Sequence, residues 1–231
     1  MMQSAISWND LTQFKNSPPV RKYEANNILL FQGEVPPFAL LVQKGYVVSY
    51  TINDNGDEQI VAFFSVGDIL PVGWIFNKSP VSLYYCRAFT DCEVIAVSRE
   101  ALLEQTQTDI ILSNKLVAQF ASSLVGTMLH VHALEHPFTQ GKIVKLLYYL
   151  VIRFGIPADR EGTYQLAFKL THAQIASMVG ASRESVATEA MKLKKQGVIL
   201  YENGFYTVHL SQLLVLFGSE EFNDIHIQSF D

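Results

Sequence analysis

Short apolar runs separated by glycine and other turn-forming residues occupy residues 28–97. The runs lie at 28–31, 38–42, 46–52, 59–64 and 86–97, and the last is interrupted by Thr90 and Asp91. Turn signals recur about every 11 residues, a spacing typical of an antiparallel sandwich or barrel. The pattern predicts a β domain in this part of the chain.

Beyond residue 97 the apolar spacing becomes helical. Ser98 is a predicted N-cap for a helix over 99–105, and a longer helix is predicted over 109–135. One face of the long helix has an apolar repeat of about 3.5 residues, interrupted by Thr127, which favours pairing with a second copy. A helix buried on its own domain is the alternative. The repeat consists of Val117, Phe120, Leu124, Val131 and Leu134.

His136 and Pro137 end the long helix, because proline lacks the amide hydrogen and restricts the preceding residue. A core helix over 140–154, a strand over 164–168 and two short helices between 171 and 195 are predicted next. Asn203-Gly204, between apolar runs at 198–201 and 205–208, predicts a type I′ hairpin. This order of elements indicates a winged helix pair, and a further short helix is expected after Ser211.

The two short helices have clear boundary signals. Thr171 and Gln174 form a predicted capping box at the start of the first helix. Gly180 permits the left-handed conformation that ends it, and Ser182 caps the second helix. The inward faces are predicted to consist of Ile175, Ala176 and Val179 in the first helix and Val186, Ala190 and Leu193 in the second.

The outer face of the second helix has the residue types that read a DNA major groove. Arg183 can donate two hydrogen bonds to guanine O6 and N7, and Glu184 can accept one from cytosine N4. Hydroxyls near helix N-termini and nearby basic residues suit phosphate oxygens. An ordinary solvated Arg-Glu pair on a generic helix pair is the alternative. The predicted phosphate contacts are Thr171, His172, Ser182, Ser185 and Lys192.

Charge is distributed unevenly along the chain. Residues 137–210 contain 9 Lys and Arg against 5 Asp and Glu, a net of +4, whereas the whole chain has a net charge of -5. A basic block between two acidic segments favours one module that faces a polyanion. Fluctuation in surface charge is the other interpretation.

The stretch 171–186, THAQIASMVGASRESV, resembles the helix-turn-helix signature of the cyclic-AMP receptor protein and FNR (Crp/Fnr) family of bacterial transcription regulators. Residues 31–34 and 64–69 resemble its β-roll motifs, so the resemblance extends over about 25–210. It implies an α+β fold with a cyclic-nucleotide-binding-like double-stranded β-helix (jelly roll) over 1–108. A dimerisation helix and hinge over 109–136 and a winged helix-turn-helix domain with a C-terminal extension over 137–231 complete the expected organisation.

Two departures from the family pattern affect the expected contacts. Many members have Arg at the position of Thr188, so one expected base contact is missing there. Arg183 and Glu184 are therefore the better supported base-reading residues, and Thr188 is a third candidate. Nucleotide-binding members have Gly-Glu and Arg-Ser or Arg-Thr pairs where this chain has Pro71-Val72 and Ser82-Leu83. Each charged bond not made costs a cyclic phosphate about 1 to 3 kcal/mol, so a response to cyclic AMP is not expected.

The expected effector pocket therefore has no assigned ligand or cofactor. Either it takes a less charged molecule or its own side chains fill it, because aromatic residues are more often core than ligand-binding. The predicted pocket residues are Val72, Trp74, Ser82, Leu83 and Thr127.

Other classes of protein are less consistent with the sequence. A metal-dependent β-barrel enzyme would need histidine ligands, but no histidine precedes His130. Two cysteines are too few for an iron–sulfur cluster and are expected to be buried thiols. The N-terminus lacks an export signal, and the longest apolar run, near 143–156, is interrupted by Lys145 and Arg153. No metal, no enzymatic activity, no membrane span and a cytoplasmic location are therefore expected.

These observations predict a homodimeric, sequence-specific transcription regulator. Its expected partners are double-stranded DNA with a palindromic site, a second copy of the chain and, by resemblance, RNA polymerase. A ligand or partner sensor with a vestigial DNA module is the competing hypothesis.

Overall fold

The computed structural model describes residues 19–218. These residues form two compact units, one ending at Ser123 and the other beginning at Leu124. The expected C-terminal extension beyond residue 218 lies outside the described residues.

The first unit consists mainly of two antiparallel four-stranded sheets, with strand orders β1-β8-β3-β6 and β2-β7-β4-β5. Its strands are β1 (Val20–Tyr23), β2 (Ile28–Leu30), β3 (Ala39–Lys44), β4 (Val47–Ile52), β5 (Glu58–Phe64), β6 (Ile69–Leu70), β7 (Tyr85–Ala88) and β8 (Cys92–Val97). Two helices, α1 (Val72–Ile75) and α2 (Arg99–Thr108), follow β6 and β8. The sheets confirm the predicted β domain, and Ser98 caps α2 as predicted by accepting from the Ala101 amide at 3.2 Å.

Strand β3 explains how the core of this unit is built. Successive side chains on a strand point to opposite faces. Leu41 belongs to one buried cluster with Trp74, whereas Leu40 and Val42 belong to another with Cys86. The sheet that contains β3 is therefore apolar on both faces. Cys86 and Cys92 are buried, as expected, and burial raises the pKa of their thiols to about 12 and about 11.

Helix α3 (Ile110–Glu135) is the long predicted helix. Asp109 caps it, since its Oδ1 accepts from the amides of Ile111 (2.9 Å) and Leu112 (3.0 Å). Its first part contributes to the first unit, where Gln119 Nε2 donates to Asp68 Oδ1 at 3.1 Å.

The placement of Phe120 corrects the predicted seam. Phe120 is partly buried, packs against the core of the first unit and meets Phe76 edge to face with ring centroids 5.2 Å apart. Phe120 differs from the other predicted seam residues because its part of α3 packs against the core of the first unit, a contact that a count of residue spacing does not show.

The part of α3 in the second unit has one apolar face that is exposed. Leu124 is 61% exposed, Met128 63% and Val131 48%, whereas Leu129 and Ala133 on the opposite side are buried. Met128 was not among the predicted seam residues. We name Leu124, Met128 and Val131 the exposed stripe; the predicted seam residues Val117, Thr127 and Leu134 are also exposed.

The second unit packs helices around a small antiparallel sheet of order β11-β12-β10-β9. Its further elements are α4 (Thr139–Phe154), β9 (Gly155–Pro157), β10 (Thr163–Leu166), α5 (His172–Val179), α6 (Arg183–Lys195), β11 (Ile199–Glu202), β12 (Phe205–His209) and α7 (Leu210–Phe217). The core helix, the helix pair, the hairpin and the final short helix are confirmed. Helix α4 provides much of the core, because most residues along it are buried.

Candidate nucleic-acid interface

Helix α5 begins at a complete capping box. The Gln174 amide donates to Thr171 Oγ1 at 3.2 Å, and the Thr171 amide donates to Gln174 Oε1 at 2.8 Å. Two N-terminal amides that lack partners within the helix are thereby satisfied. The predicted inward residues Ile175, Ala176 and Val179 are buried, which fixes α5 against the unit.

The turn between α5 and α6 depends on Gly180. Its φ of +63° is left-handed, a conformation that costs glycine little. A Cβ at this position would meet nothing within 4 Å, so the backbone conformation, rather than lack of space, requires the glycine. Ser182 then caps α6 by accepting from the Ser185 amide at 3.1 Å.

Contacts from α3 and α4 complete the C-terminus of α5. His130 Nε2 is 3.0 Å from the Met178 carbonyl oxygen, and Lys142 Nζ donates to the Val179 carbonyl oxygen at 3.3 Å. Both partners satisfy carbonyls that have no bond within the helix. The sequence patterns did not identify His130 and Lys142 as supports for the helix pair.

Helix α6 has a buried face and an exposed face, as the sequence predicted. Val186 and Leu193 have no exposed surface, and Ala190 is 6% exposed. On the other side, Arg183, Glu184 and Thr188 are exposed together with Ser182, Ser185, Met191, Lys192, Lys194 and Lys195. The helix thus offers a guanidinium and a carboxylate at its start and basic side chains in its last turn.

Several of these polar groups already have partners within the protein. The Thr188 hydroxyl donates to the Glu184 carbonyl oxygen at 2.9 Å, and Lys192 Nζ lies 2.7 Å from Glu189 Oε1. Ser182 Oγ is 3.0 Å from Ser185 Oγ in addition to its capping bond. The hydroxyls predicted as phosphate contacts therefore also stabilise the helix starts.

His172 belongs to an aromatic group on the hairpin, next to the residue pair that flanks its turn. Its ring centroid lies 5.3 Å from that of Tyr201 and 6.4 Å from that of Tyr206. Burial, and secondarily the nearby Arg183 charge, lower the pKa of His172 from its usual 6.5. The imidazole is therefore mainly neutral at pH 7 and offers a hydrogen bond, rather than a full charge, to a phosphate.

The hairpin β11–β12 forms the wing. Asn203 (φ +51°) and Gly204 (φ +89°) are both left-handed, as a type I′ turn requires. The Leu170 amide donates to the Gly204 carbonyl oxygen at 3.0 Å, and Lys169 Nζ lies 5.5 Å from the Phe205 ring centroid. Lys169 places a cation beside the wing tip; its only sequence signal was its position two residues before the cap of α5.

Together, the capped helix pair, the exposed face of α6 and the wing form a winged helix-turn-helix. A sequence profile of the Crp-like helix-turn-helix domain matches residues 141–215, and one of the cyclic nucleotide-binding domain matches residues 20–109. This chain belongs to the Crp/Fnr family of transcription regulators. As a member of that family it is a DNA-binding transcription regulator and not an enzyme.

Relatives of this regulator agree with the assignment. It is 26% identical over 200 residues to the HTH-type transcriptional regulator ArcR of Staphylococcus haemolyticus, covering 83% of this chain and 82% of ArcR. It is 27% identical over 180 residues to the cAMP-activated global transcriptional regulator CRP of Escherichia coli O157:H7, covering 78% and 84%. The fold matches that of FixK2 from Bradyrhizobium japonicum with a TM-score of 0.71 at 21% identity, covering 87% and 98%.

The predicted effector residues of the first unit differ in exposure. In the first unit, Trp74 packs in the core with the Arg99 guanidinium 5.0 Å from its ring centroid, whereas Val72 and Leu83 are exposed. Ser82 is buried, and its hydroxyl donates to the Tyr84 carbonyl oxygen at 2.7 Å. Thr127 belongs to the second unit.

Two polar side chains of the first unit, Ser82 and Arg87, are bonded within the protein. The Ser82 hydroxyl, at the place where nucleotide-binding members are expected to have Arg, is bonded within the protein. Arg87, on β7, is held by Glu58, with Nη1 to Oε2 at 2.6 Å, and lies 4.8 Å from the Tyr50 ring centroid.

Residues 19–218 contain neither a membrane-spanning helix nor a candidate metal site. None of the helices there combines the length and apolar content needed to cross a membrane. The same residues contain no group of three or more His, Cys, Asp and Glu side chains that could hold a metal ion.

Proposed function

We propose that this regulator acts as a homodimer that recognises a palindromic DNA site with two copies of α6. One observation carries the proposal: the exposed N-terminal turn of α6 presents Arg183 and Glu184 on a helix that two caps and a left-handed glycine hold in place. Arg183 pairs with guanine, Glu184 accepts from cytosine and Thr188 contacts a neighbouring base.

Phosphate contacts orient each helix on the duplex. Thr171, His172, Ser182 and Ser185 lie at the starts of α5 and α6, where helix N-termini attract anions. Lys192 adds charge further along α6 once its bond to Glu189 is broken or shared. These contacts fix the register, and the cationic Lys192 contributes to the salt dependence of binding.

The exposed stripe supports pairing of two copies through α3. Three large apolar side chains on one helical face, Leu124, Met128 and Val131, are between 48% and 63% exposed. Burying such a face against its symmetry mate removes this surface from water. Two recognition helices related by a two-fold axis require half-sites about 34 Å apart, or a multiple of that distance.

Dimerisation through the exposed stripe is tested by charge insertion. The double variant L124E/M128E is expected to sediment as a monomer and to lose most affinity for the full palindrome, because four carboxylates would face each other. Val215→Glu is the matched control, since Val215 is 81% exposed on α7. A double variant that sediments as a dimer contradicts pairing through this stripe.

The regulator is not activated by cyclic AMP in this proposal. The bonds of Ser82 and Arg87 support that conclusion, since a cyclic phosphate would have no free cation among them. Thermal unfolding with added cyclic AMP tests it: no shift in Tm is expected, whereas a saturable rise in Tm at micromolar ligand would overturn it.

Any effector of the regulator is a less charged molecule than cyclic AMP. Contact with RNA polymerase, and with it a cytoplasmic location, follows from the family's mode of action.

Selection from random duplexes tests the proposed function as a whole. At two salt concentrations, the full chain is expected to enrich one inverted repeat, with weaker recovery at the higher salt. Enrichment without a motif would instead favour a sensor whose DNA module is vestigial.

A further inference from the structure

The middle of the exposed face of α6 is more apolar than its residue types suggest. Thr188 is exposed, yet its hydroxyl donates to the Glu184 carbonyl oxygen at 2.9 Å. A threonine Cβ bears one hydroxyl and one methyl, so a hydroxyl bonded to the backbone leaves the methyl as the other branch. The hydroxyl therefore has no proton left to donate to a partner, and the methyl is the other group on its Cβ.

The neighbours of Thr188 on α6 are mixed in character, because Ser185 and Lys192, three residues before it and four after it, are polar and exposed. Ala187 is partly buried and offers only a methyl, and Met191, one turn further along, is 60% exposed. Beyond them, Lys192 is bonded to Glu189. Thr188 and Met191 thus add apolar groups to a face whose other exposed side chains are charged or polar.

DNA offers one apolar group in the major groove that such a surface can distinguish. The C5-methyl group of thymine projects there, and apolar side chains, including the threonine methyl, contact it. The other major-groove edges present hydrogen-bond donors and acceptors, which apolar groups leave unpaired. A base pair without the methyl therefore contacts this part of α6 less favourably.

We infer that Thr188 is a specificity-determining residue that selects thymine through a methyl-to-methyl contact. This inference rests on the proposed function, since it requires α6 to lie in the major groove. Thr188 follows Glu184 by four residues, about 6 Å along the helix axis, and DNA rises 3.4 Å per base pair. The selected thymine is therefore expected in the same half-site as the pair that Glu184 reads.

Replacing thymine by uracil in the operator removes only the methyl. Each thymine of the selected inverted repeat is replaced in turn, in one half-site and then in both, and the Kd is measured with the full chain. We expect one thymine position, the same in both half-sites, to respond. Wild-type binding should be about fourfold weaker when this thymine is replaced in one half-site and about fifteenfold weaker when it is replaced in both, because each replacement removes the burial of one methyl-sized group.

Two variants of similar size separate the methyl from the hydroxyl. Thr188→Val keeps the methyl and replaces the hydroxyl by a second methyl. This variant is expected to retain the weaker binding to uracil duplexes. Thr188→Ser keeps the hydroxyl, lacks the methyl and is expected to bind thymine and uracil duplexes equally. A Ser variant that still distinguishes thymine from uracil, or a Val variant that no longer does, would show that the Thr188 methyl is not the group that contacts thymine and would overturn the inference.

The outcomes also separate this inference from the proposed function. If a palindrome is selected but no thymine responds to uracil replacement in the wild type, the role of Thr188 is wrong and the proposed function stands. If no sequence is selected, both fail together. Circular dichroism spectra that match the wild type exclude misfolding of the variants as the cause.

Discussion

Replacing Arg183 by Ala is the perturbation that isolates base reading most cleanly. Arg183 is exposed at the first turn of α6, and the Ser182 cap that holds this turn uses the Ser182 side chain and the Ser185 amide. Removing the guanidinium therefore leaves the cap and the buried residues Val186 and Leu193 in place. The substitution should change DNA recognition with little effect on the fold.

The magnitude follows from the number of arginine–guanine pairs that the substitution removes. A bidentate pair of this kind contributes about 1 to 3 kcal/mol of discrimination. A symmetric dimer makes two such pairs, so removing both weakens binding to a full palindrome by about 2 to 6 kcal/mol. Since 1.4 kcal/mol corresponds to a tenfold change in Kd, we expect affinity to fall by roughly 30-fold to more than 10,000-fold.

Fluorescence anisotropy with a set of operators measures this change in affinity and locates it. The operators are the selected palindrome and two derivatives in which the guanine is changed in one half-site or in both. For the wild type, changing one guanine is expected to remove about half of the 2 to 6 kcal/mol contributed by the two arginine–guanine pairs, and changing both is expected to remove all of that contribution. The Arg183→Ala variant should bind all three duplexes equally, since it no longer reads that base pair. Arg160→Ala, which removes an exposed arginine from the β9–β10 loop, is the control for the removal of a positive charge.

Two results would refute the reasoning. A variant that still discriminates among the three duplexes would remove Arg183 from base reading. A variant that loses affinity equally for every sequence, with a reduced salt dependence, would make Arg183 a phosphate contact.

Three further predictions concern other parts of the second unit. Lys192→Ala should weaken binding to all duplexes alike and reduce the salt slope by about 1 per protomer, whereas a loss confined to the selected site contradicts a phosphate contact. Leu193→Ala, at a fully buried position, should lower the free energy of unfolding by about 2 to 5 kcal/mol in urea titrations, against a change within about 0.5 kcal/mol for the exposed Lys194→Ala. Burial and then the Lys145 charge lower the pKa of His132, whose Nε2 is 2.6 Å from Lys145 Nζ. The contribution of His132 to the free energy of unfolding is therefore present above pH 6.5 and is lost as the pH falls through the lowered pKa. The urea midpoint should thus drop more between about pH 7.5 and 5.5 for the wild type than for His132→Gln. Equal drops in the two proteins contradict this prediction.

Local hydrogen-bonding signals made the helix pair predictable from sequence. The Thr171–Gln174 box, the left-handed Gly180 and the Ser182 cap each act within a few residues, so the sequence contains the complete signal. The Asn203-Gly204 turn is equally local. These elements therefore appear where their residue patterns predicted them.

Elements that depend on distant partners were missed. Strand β9 contains Gly155 and Pro157, which disfavour strands, and it forms because β10 pairs with it. Strand β1 has two charged residues among four and is held as an edge strand by β8. The short helix α1 is too brief to show helical periodicity, since it has only four residues.

Side-chain roles were the least predictable part of the interface. The sequence does not decide whether the Thr188 hydroxyl bonds to the helix backbone, because a helical threonine divides between two rotamers, of which one makes this bond. Likewise, Phe120 belongs to the expected seam by counting, but Phe76 provides an aromatic partner within the first unit. Such outcomes depend on three-dimensional neighbours that a periodic pattern does not identify.

Methylation protection of guanine N7 examines the contact between α6 and the major groove without relying on affinity alone. On the selected palindrome, the wild type should protect one guanine at the equivalent position of each half-site from dimethyl sulfate, because Arg183 covers its N7. Arg183→Ala, at a concentration that saturates the duplex, should leave that guanine reactive. Guanines that stay fully reactive under saturating wild-type protein would contradict insertion of α6 into the major groove.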